Sequence, residues 1–195
     1  MSNVWFITGS SRGLGRALTR AALQAGHRVA ATARNPAQLA DLVQEYGNRI
    51  HPLRLDVTDP TAAVSTLAGA RAEFGRVDVV VNNAGIQIMG AFVDQKVELY
   101  HREVAINLLG VINGLHAFLP GMLDRDRGHI VNVASMAAKV TTPGMSVYCA
   151  TKYAVAALSR AVRAEIASSA VTVSTVFPTA VHTELTAGVA LDLLP

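Results

Sequence analysis

A single cysteine, Cys149, stands in a chain of 195 residues, so no disulfide can close within it. Its role is expected to be that of a small buried apolar side chain, in a reducing setting. Charged residues are scarce at 16%, and the 17 basic ones are scattered among 14 acidic ones without forming a run. That distribution argues against nucleic-acid binding. The six histidines lie far apart, with no pair at metal-ligand spacing, and no metal site is expected. No apolar stretch approaches the roughly 18 to 20 residues that cross a bilayer, so no membrane span is expected. The opening, MSNVWFITGSSRGLG, has no basic leader and runs into a glycine-rich turn where an export signal would carry a cleavage site. These absences together point to a soluble, cytoplasmic protein. What the chain does have is apolar residues, 51% of the total, in a length that suits one core and a single domain over 1–195.

Short runs rich in Val and Ile recur at 4–7, 28–32, 49–53, 77–82, 130–134 and 171–177. Segments of helical periodicity separate them at 14–25, 36–46, 60–74, 98–123 and 147–168. Several of the strand runs are apolar without alternation, as strands covered on both faces should be. The reading is an α/β fold with a doubly wound parallel sheet and helices on both faces. Pro36 and Pro60 fall in first helical turns, each behind a polar capping residue, Asn35 and Asp59.

Directly after the first strand comes Thr8-Gly9-Ser10-Ser11-Arg12-Gly13-Leu14-Gly15, leading into the first helix. Glycines at 9, 13 and 15 allow a tight turn and let backbone N–H groups approach a pyrophosphate at a helix N-terminus. After the second strand, where an NAD-specific fold would place Asp or Glu against the ribose hydroxyls, stands Arg34. A guanidinium pairs with a phosphate, and Arg12 can reach the same place, so NADP(H) is the expected cofactor.

Tyr148 and Lys152 lie four apart on one helix and share a face. Ser135 lies thirteen positions before Tyr148, just past the fifth strand, at the sheet edge where such folds bind ligands. Asn82-Asn83-Ala84-Gly85 closes the fourth strand, and Asn107 sits in the long helix that follows. Taken singly, Ser135 can cap a strand end, Asn107 can satisfy helix carbonyls and Asp56 can be a turn carboxylate. Taken together with the glycine turn, these elements in register resemble the short-chain dehydrogenase/reductase family, in its NADP-linked form and through most of the chain.

The resemblance implies a Rossmann-like fold and an NADPH-dependent oxidoreductase that passes a hydride between the nicotinamide and an alcohol or ketone carbon. Tyr148 is implied as the acid/base, Ser135 as the holder of the substrate oxygen, and Lys152 as the ribose ligand that depresses the Tyr148 pKa. Asn107 is implied to support a proton-relaying water. Asp56 with Val57, and Asn83 with Ala84 and Gly85, are implied at the cofactor, as are Pro178, Val181 and Thr183 after the sixth strand. Thr179 stands where the family has glycine, and a β-branched residue there disfavours the same loop path. The family continues for several dozen residues past the point where Pro195 ends this chain. A C-terminal strand and the rest of a substrate-covering segment from about 179 are therefore expected to be missing. Ile86, Ile88, Met136, Ala137, Met145 and Val147 near the site are apolar, which suggests an apolar ketone or secondary alcohol. A 3-oxoacyl-carrier-protein reductase and a non-catalytic NADPH-binding regulator are the alternatives. The two long helices are apolar around much of their circumference, which predicts a helix-to-helix subunit contact, and the resemblance implies a homodimer or homotetramer through them.

Overall fold

The computed structural model describes residues 2–179. In chain order these form β1 (Val4–Ile7), α1 (Gly13–Gln24), β2 (Arg28–Ala33), α2 (Ala40–Tyr46), β3 (Ile50–Arg54), α3 (Pro60–Phe74), β4 (Val79–Asn82), α4 (Val97–Val104), α5 (Gly110–Leu123), β5 (His129–Val133), α6 (Ser146–Glu165) and β6 (Thr172–Val176). All five strand pairings are parallel, in the order β3-β2-β1-β4-β5-β6. The order reverses between β1 and β4, and such a switch opens a crevice at the carboxyl ends of those two strands.

Neighbouring residues of one strand feed opposite cores, which is why the strand runs read as continuously apolar. Phe6 of β1 and Val80 of β4 pack with Leu115, Phe118 and Val155 beneath α3, α5 and α6. Ile7 and Val81, one position on, pack with Leu23, Leu39 and Leu42 beneath α1 and α2.

Three local features differ from the periodicity reading, and each has a cause. The predicted helix 36–46 begins as a 3₁₀ turn at Pro36–Leu39, capped by the Asn35 side chain on Ala37 N–H, before α2 proper. The long helix after β4 is interrupted by a π turn at Ala105–Leu109, between α4 and α5. The continuous helix Val97–Leu123 contains an 18-residue window of mean hydropathy 1.4 and is long and apolar enough to cross a membrane. The apolar-run reading missed it because Glu98, His101, Arg102 and Glu103 break up its first part. One face of it is turned into the core, where Gly110, Val111, Gly114, Leu115, Phe118 and Met122 are buried.

A polar chain crosses the apolar layer. The Asn82 amide donates to Asn132 Oδ1 at 2.8 Å, and Asn132 Nδ2 donates to Ser159 Oγ at 2.9 Å, joining β4, β5 and α6. Gly114 is required beside it, because a Cβ at that position would collide with Asn82 Oδ1.

Candidate active site

The crevice holds the glycine turn. Gly9 and Gly13 have φ of +71° and +53°, a region that disfavours any side chain. A Cβ on Gly15 would run into the Gly9 carbonyl oxygen and the Asn83 amide. The turn is tied from three sides. Ser10 N–H donates to Thr32 O at 2.8 Å, and the Ser10 hydroxyl donates to Ile7 O at 2.9 Å. The Thr8 hydroxyl oxygen accepts from the N–H groups of Asn83 and Ala84, both at 2.9 Å. Asn83 Nδ2 donates to Thr8 O at 2.9 Å. The side chain of Asn83 therefore holds the turn. Arg12 caps α1 with no side-chain bond, and the first turn, with Gly13, Leu14 and Gly15, contains no acidic residue. Its N–H groups and those about Ser11 are the donors a pyrophosphate needs, so the cradle fits a dinucleotide.

On one flank, Arg34 is exposed just past β2. Asp56 Oδ1 accepts from the Thr58 N–H at 3.0 Å and the Thr58 hydroxyl at 2.8 Å. The Thr58 N–H holds the Asp56 carboxyl below its ordinary range, with Arg34 adding its positive charge. Val57 docks this loop on α5: its carbonyl accepts from Asn113 Nδ2 at 2.8 Å, and its side chain lies over Gly110.

On the other flank, α6 brings Tyr148 and Lys152 onto one buried face, with the ammonium 5.5 Å from the phenol ring centre. Ser135, in extended backbone after β5, accepts from Ala137 N–H at 3.1 Å, and its hydroxyl acts on the Tyr148 phenol. Ala137 and Met145 pack with Tyr148 and the buried Cys149. Pro178 O accepts from Met136 N–H at 2.9 Å, setting the segment after β6 beside Ser135. Val181 and Thr183 lie outside the described residues. Asn107, in the π turn, binds both backbone groups of Ile86: its Oδ1 accepts from the N–H and its Nδ2 donates to the carbonyl, each at 2.8 Å. Nδ2 also donates to Thr151 Oγ1 at 3.3 Å. The side chain of Asn107 thus joins α6 to the segment after β4. A π turn leaves a carbonyl out of the regular ladder, and such turns occur often at functional sites.

A family model described as short chain dehydrogenase matches residues 3–193. The chain belongs to the short-chain dehydrogenase family. It is 40% identical over 185 residues to oxidoreductase BOA17 of Botryotinia fuckeliana, covering 94% of this chain and 68% of that one. It is 35% identical over 173 residues to the NADP-dependent 3-hydroxy acid dehydrogenase YdfG of Escherichia coli, covering 88% and 70%. A family structure from Burkholderia phymatum in complex with NAD superimposes with a TM-score of 0.90 at 27% identity, covering 97% and 70%. The chain is thus an oxidoreductase of the family that acts on CH–OH and C=O groups with a nicotinamide dinucleotide.

The electrostatics of the chain alone correct one expectation. Burial pushes the Tyr148 phenol above its ordinary value, the Ser135 hydroxyl pulls it down, and the charge of Glu103 pushes it up again. Burial also brings Lys152 down from 10.5 to about 8, while Glu103 acts to raise it. Lys152 Nζ donates to Val133 O at 3.0 Å. Burial is the largest influence on the phenol, which is held neutral in the cofactor-free chain.

Sequence reasoning missed Glu103. It is fully buried on α4, its Oε1 accepting from Ile88 N–H at 2.8 Å and its Oε2 without a partner. Its position four residues before Asn107 was the available signal, since that spacing puts both on one helix face. Thr8 and Thr151, whose hydroxyls serve the turn and Asn107, were missed as well.

Proposed function

We propose that this chain transfers a hydride between NADP(H) and an alcohol or ketone carbon, in the direction of ketone reduction, with Tyr148 as the acid/base. The observation that carries the reading is the meeting of the Ser135 hydroxyl, the Tyr148 phenol and the Lys152 ammonium at the carboxyl edge of the sheet, beside the glycine cradle. The nicotinamide, when bound, supplies or accepts the hydride. The Ser135 hydroxyl donates to the substrate oxygen and stabilises charge developing there. Tyr148, held neutral by burial, gives its proton to that oxygen. Lys152 keeps N–H donors beyond the one at Val133 O for the ribose hydroxyls. Arg34 and Arg12, both exposed at the crevice, favour a 2′-phosphate and so NADP(H).

Ala137 and Met145 against Tyr148, with Ile86, Ile88, Met136 and Val147 nearby, support an apolar ketone or secondary alcohol as substrate. A second reading, a 3-hydroxy acid, is favoured by the likeness to YdfG. A groove of about 490 Å³ on the outer side of α5 and α6, where Ile112, Leu119 and Leu123 face Leu158 and Val162, supports a homodimer or homotetramer through these helices. We place the protein in the cytoplasm as one catalytic domain.

The test is NADPH and NADH titration by fluorescence. NADPH oxidation is then followed with apolar ketones, and NADP+ reduction with 3-hydroxy acids, in wild type and Tyr148→Phe. Turnover falling by a factor of about 10² to 10⁴ in the variant, with NADPH binding intact, supports the reading. Equal turnover in both proteins refutes the role of Tyr148, and binding without turnover on either panel favours a regulator.

A further inference from the structure

Two side chains one turn apart on the same helix grip the segment that leaves β4. Asn107 Oδ1 takes the N–H of Ile86, and Glu103 Oε1 takes the N–H of Ile88, each at 2.8 Å. Residues i and i+4 of a helix match residues i and i+2 of an extended chain in spacing, about 6 Å in each case, so the pair acts as a mock strand edge. Asn107 alone would suffice to fix Ile86, and a neutral glutamine would serve as well at Ile88. A carboxyl group is a costly choice for a position with no solvent exposure. Its second oxygen has no partner at all among the described residues.

The same grip brings charge together. A side-chain carbon at Gly85 would lie 3.2 Å from Asn107 Oδ1 and 3.7 Å from Lys152 Nζ, so the π turn that continues α4 meets α6 over that bare backbone, where Asn107 Nδ2 also donates to Thr151 Oγ1. Among the described residues Lys152 is the charged side chain whose field reaches Glu103. Tyr148 stands behind it on α6, with the Cys149 thiol next to the phenol. From the segment 85–88 the carboxyl receives a backbone N–H. Lys152 itself is buried and, among the described residues, has one carbonyl, that of Val133, as its hydrogen-bond partner.

We propose that Glu103 is the counter-charge that keeps the buried Lys152 an ammonium, and so is a positioning residue for the Tyr148–Lys152 couple. An isolated buried ammonium sheds its proton, and a buried carboxylate takes one up; within reach of each other's charge they hold both with no net charge in the apolar layer. Burial works against both groups, while each favours the charged form of the other. The same carboxylate opposes formation of the Tyr148 phenolate. Removing it therefore makes both α6 groups easier to deprotonate.

This inference rests on the Tyr148–Lys152 reading above, but its test does not need turnover. Lys96, Lys139 and Lys152 are the three lysines of the chain, so protein labelled with ¹³C at lysine Cε gives a resolvable titration by NMR without cofactor. In Glu103→Gln, which can still accept from Ile88 N–H, the midpoint of Lys152 should fall by about one pH unit. Glu103→Asp, which retains the charge, should restore most of it. In turnover, the whole pH profile of Glu103→Gln should move to lower pH, whereas loss of support for Ile88 alone would lower its height and leave its position. Should Glu103→Gln not fold, the reciprocal measurement decides: in Lys152→Met, the Glu103 carboxyl, labelled at Cδ, should take up its proton at higher pH than in wild type. A Lys152 midpoint unchanged in Glu103→Gln, or a Glu103 midpoint unchanged in Lys152→Met, overturns the proposal. Shifted midpoints in a protein without Tyr148-dependent turnover would leave the pair standing and remove only the catalytic reading.

Discussion

Replacing Lys152 by methionine should stabilise the cofactor-free protein at neutral pH while it abolishes turnover. The lysine is buried at 5% exposure, and burial takes it from 10.5 in the unfolded chain to about 8 in the fold. A group that binds its proton more weakly when folded costs stability wherever it is still protonated. Here that cost is full below about 8 and is relieved as pH rises toward 10.5. At about 1.36 kcal/mol for each pH unit, the interval amounts to roughly 3 kcal/mol. Methionine is close in length, leaves no charge to bury, and gives up the hydrogen bond to Val133 O, a loss of about 1 kcal/mol. The net expectation is a variant more stable than wild type by about 2 kcal/mol at pH 7, and less stable by about 1 kcal/mol near pH 10.5. Urea unfolding followed by Trp5 fluorescence at intervals from pH 7 to 10.5 reads the difference, because the titrating groups other than Lys152 and its neighbour Glu103 are common to both proteins. The swing with pH is the signature. A stability difference that stays constant across that range would refute a buried, weakly basic Lys152.

Gly15→Ala should lose NADPH binding and about 1 to 3 kcal/mol of stability, since its methyl has to displace the Gly9 carbonyl; calorimetric binding together with urea unfolding checks both. Arg34→Ala should weaken NADPH about 10- to 100-fold in fluorescence titration and leave NADH nearly unchanged, because a charge-assisted contact is worth about 1.5 to 3 kcal/mol. Ile112→Glu puts a charge at the mouth of the outer groove and should give a monomer by light scattering at concentrations where wild type associates.

The sheet was legible because parallel strands buried on both faces must be apolar throughout, and β1, with its partners Phe6 and Ile7 in separate cores, reads that way in one dimension. The glycine turn was legible because φ of +71° and +53° excludes most alternatives at Gly9 and Gly13. The π turn at Ala105–Leu109 was not, since one added residue hardly alters an apolar stripe. The place of Asn83 in the motif was visible in the sequence, whereas its bond to Thr8 O, across 75 residues, was not. The sign of the Tyr148 shift was missed for a related reason: proximity to Lys152 can be counted in residues, but the depth of burial that weakens the lysine cannot. Glu103 was passed over because a single acidic residue beside His101 and Arg102 looks like part of a solvated helix face.

The Asn82–Asn132–Ser159 chain bears on how the sheet finds its alignment. Asn82 and Asn132 are register partners between β4 and β5, in strands whose other residues, His129 apart, are interchangeable Val and Ile. Apolar pairs discriminate poorly between alignments, because Val against Ile is much the same as Val against Val. A slip of one residue would turn each side chain to the wrong face. A slip of two would restore the faces, but it would set Asn82 against Ile130 or Ala134 and leave both amides buried without partners. At about 1 to 3 kcal/mol for each stranded group, that alignment loses by several kcal/mol. Two amides and a hydroxyl thus act as a key cut into a smooth surface, selecting the one pairing that brings Ser135 level with the glycine turn.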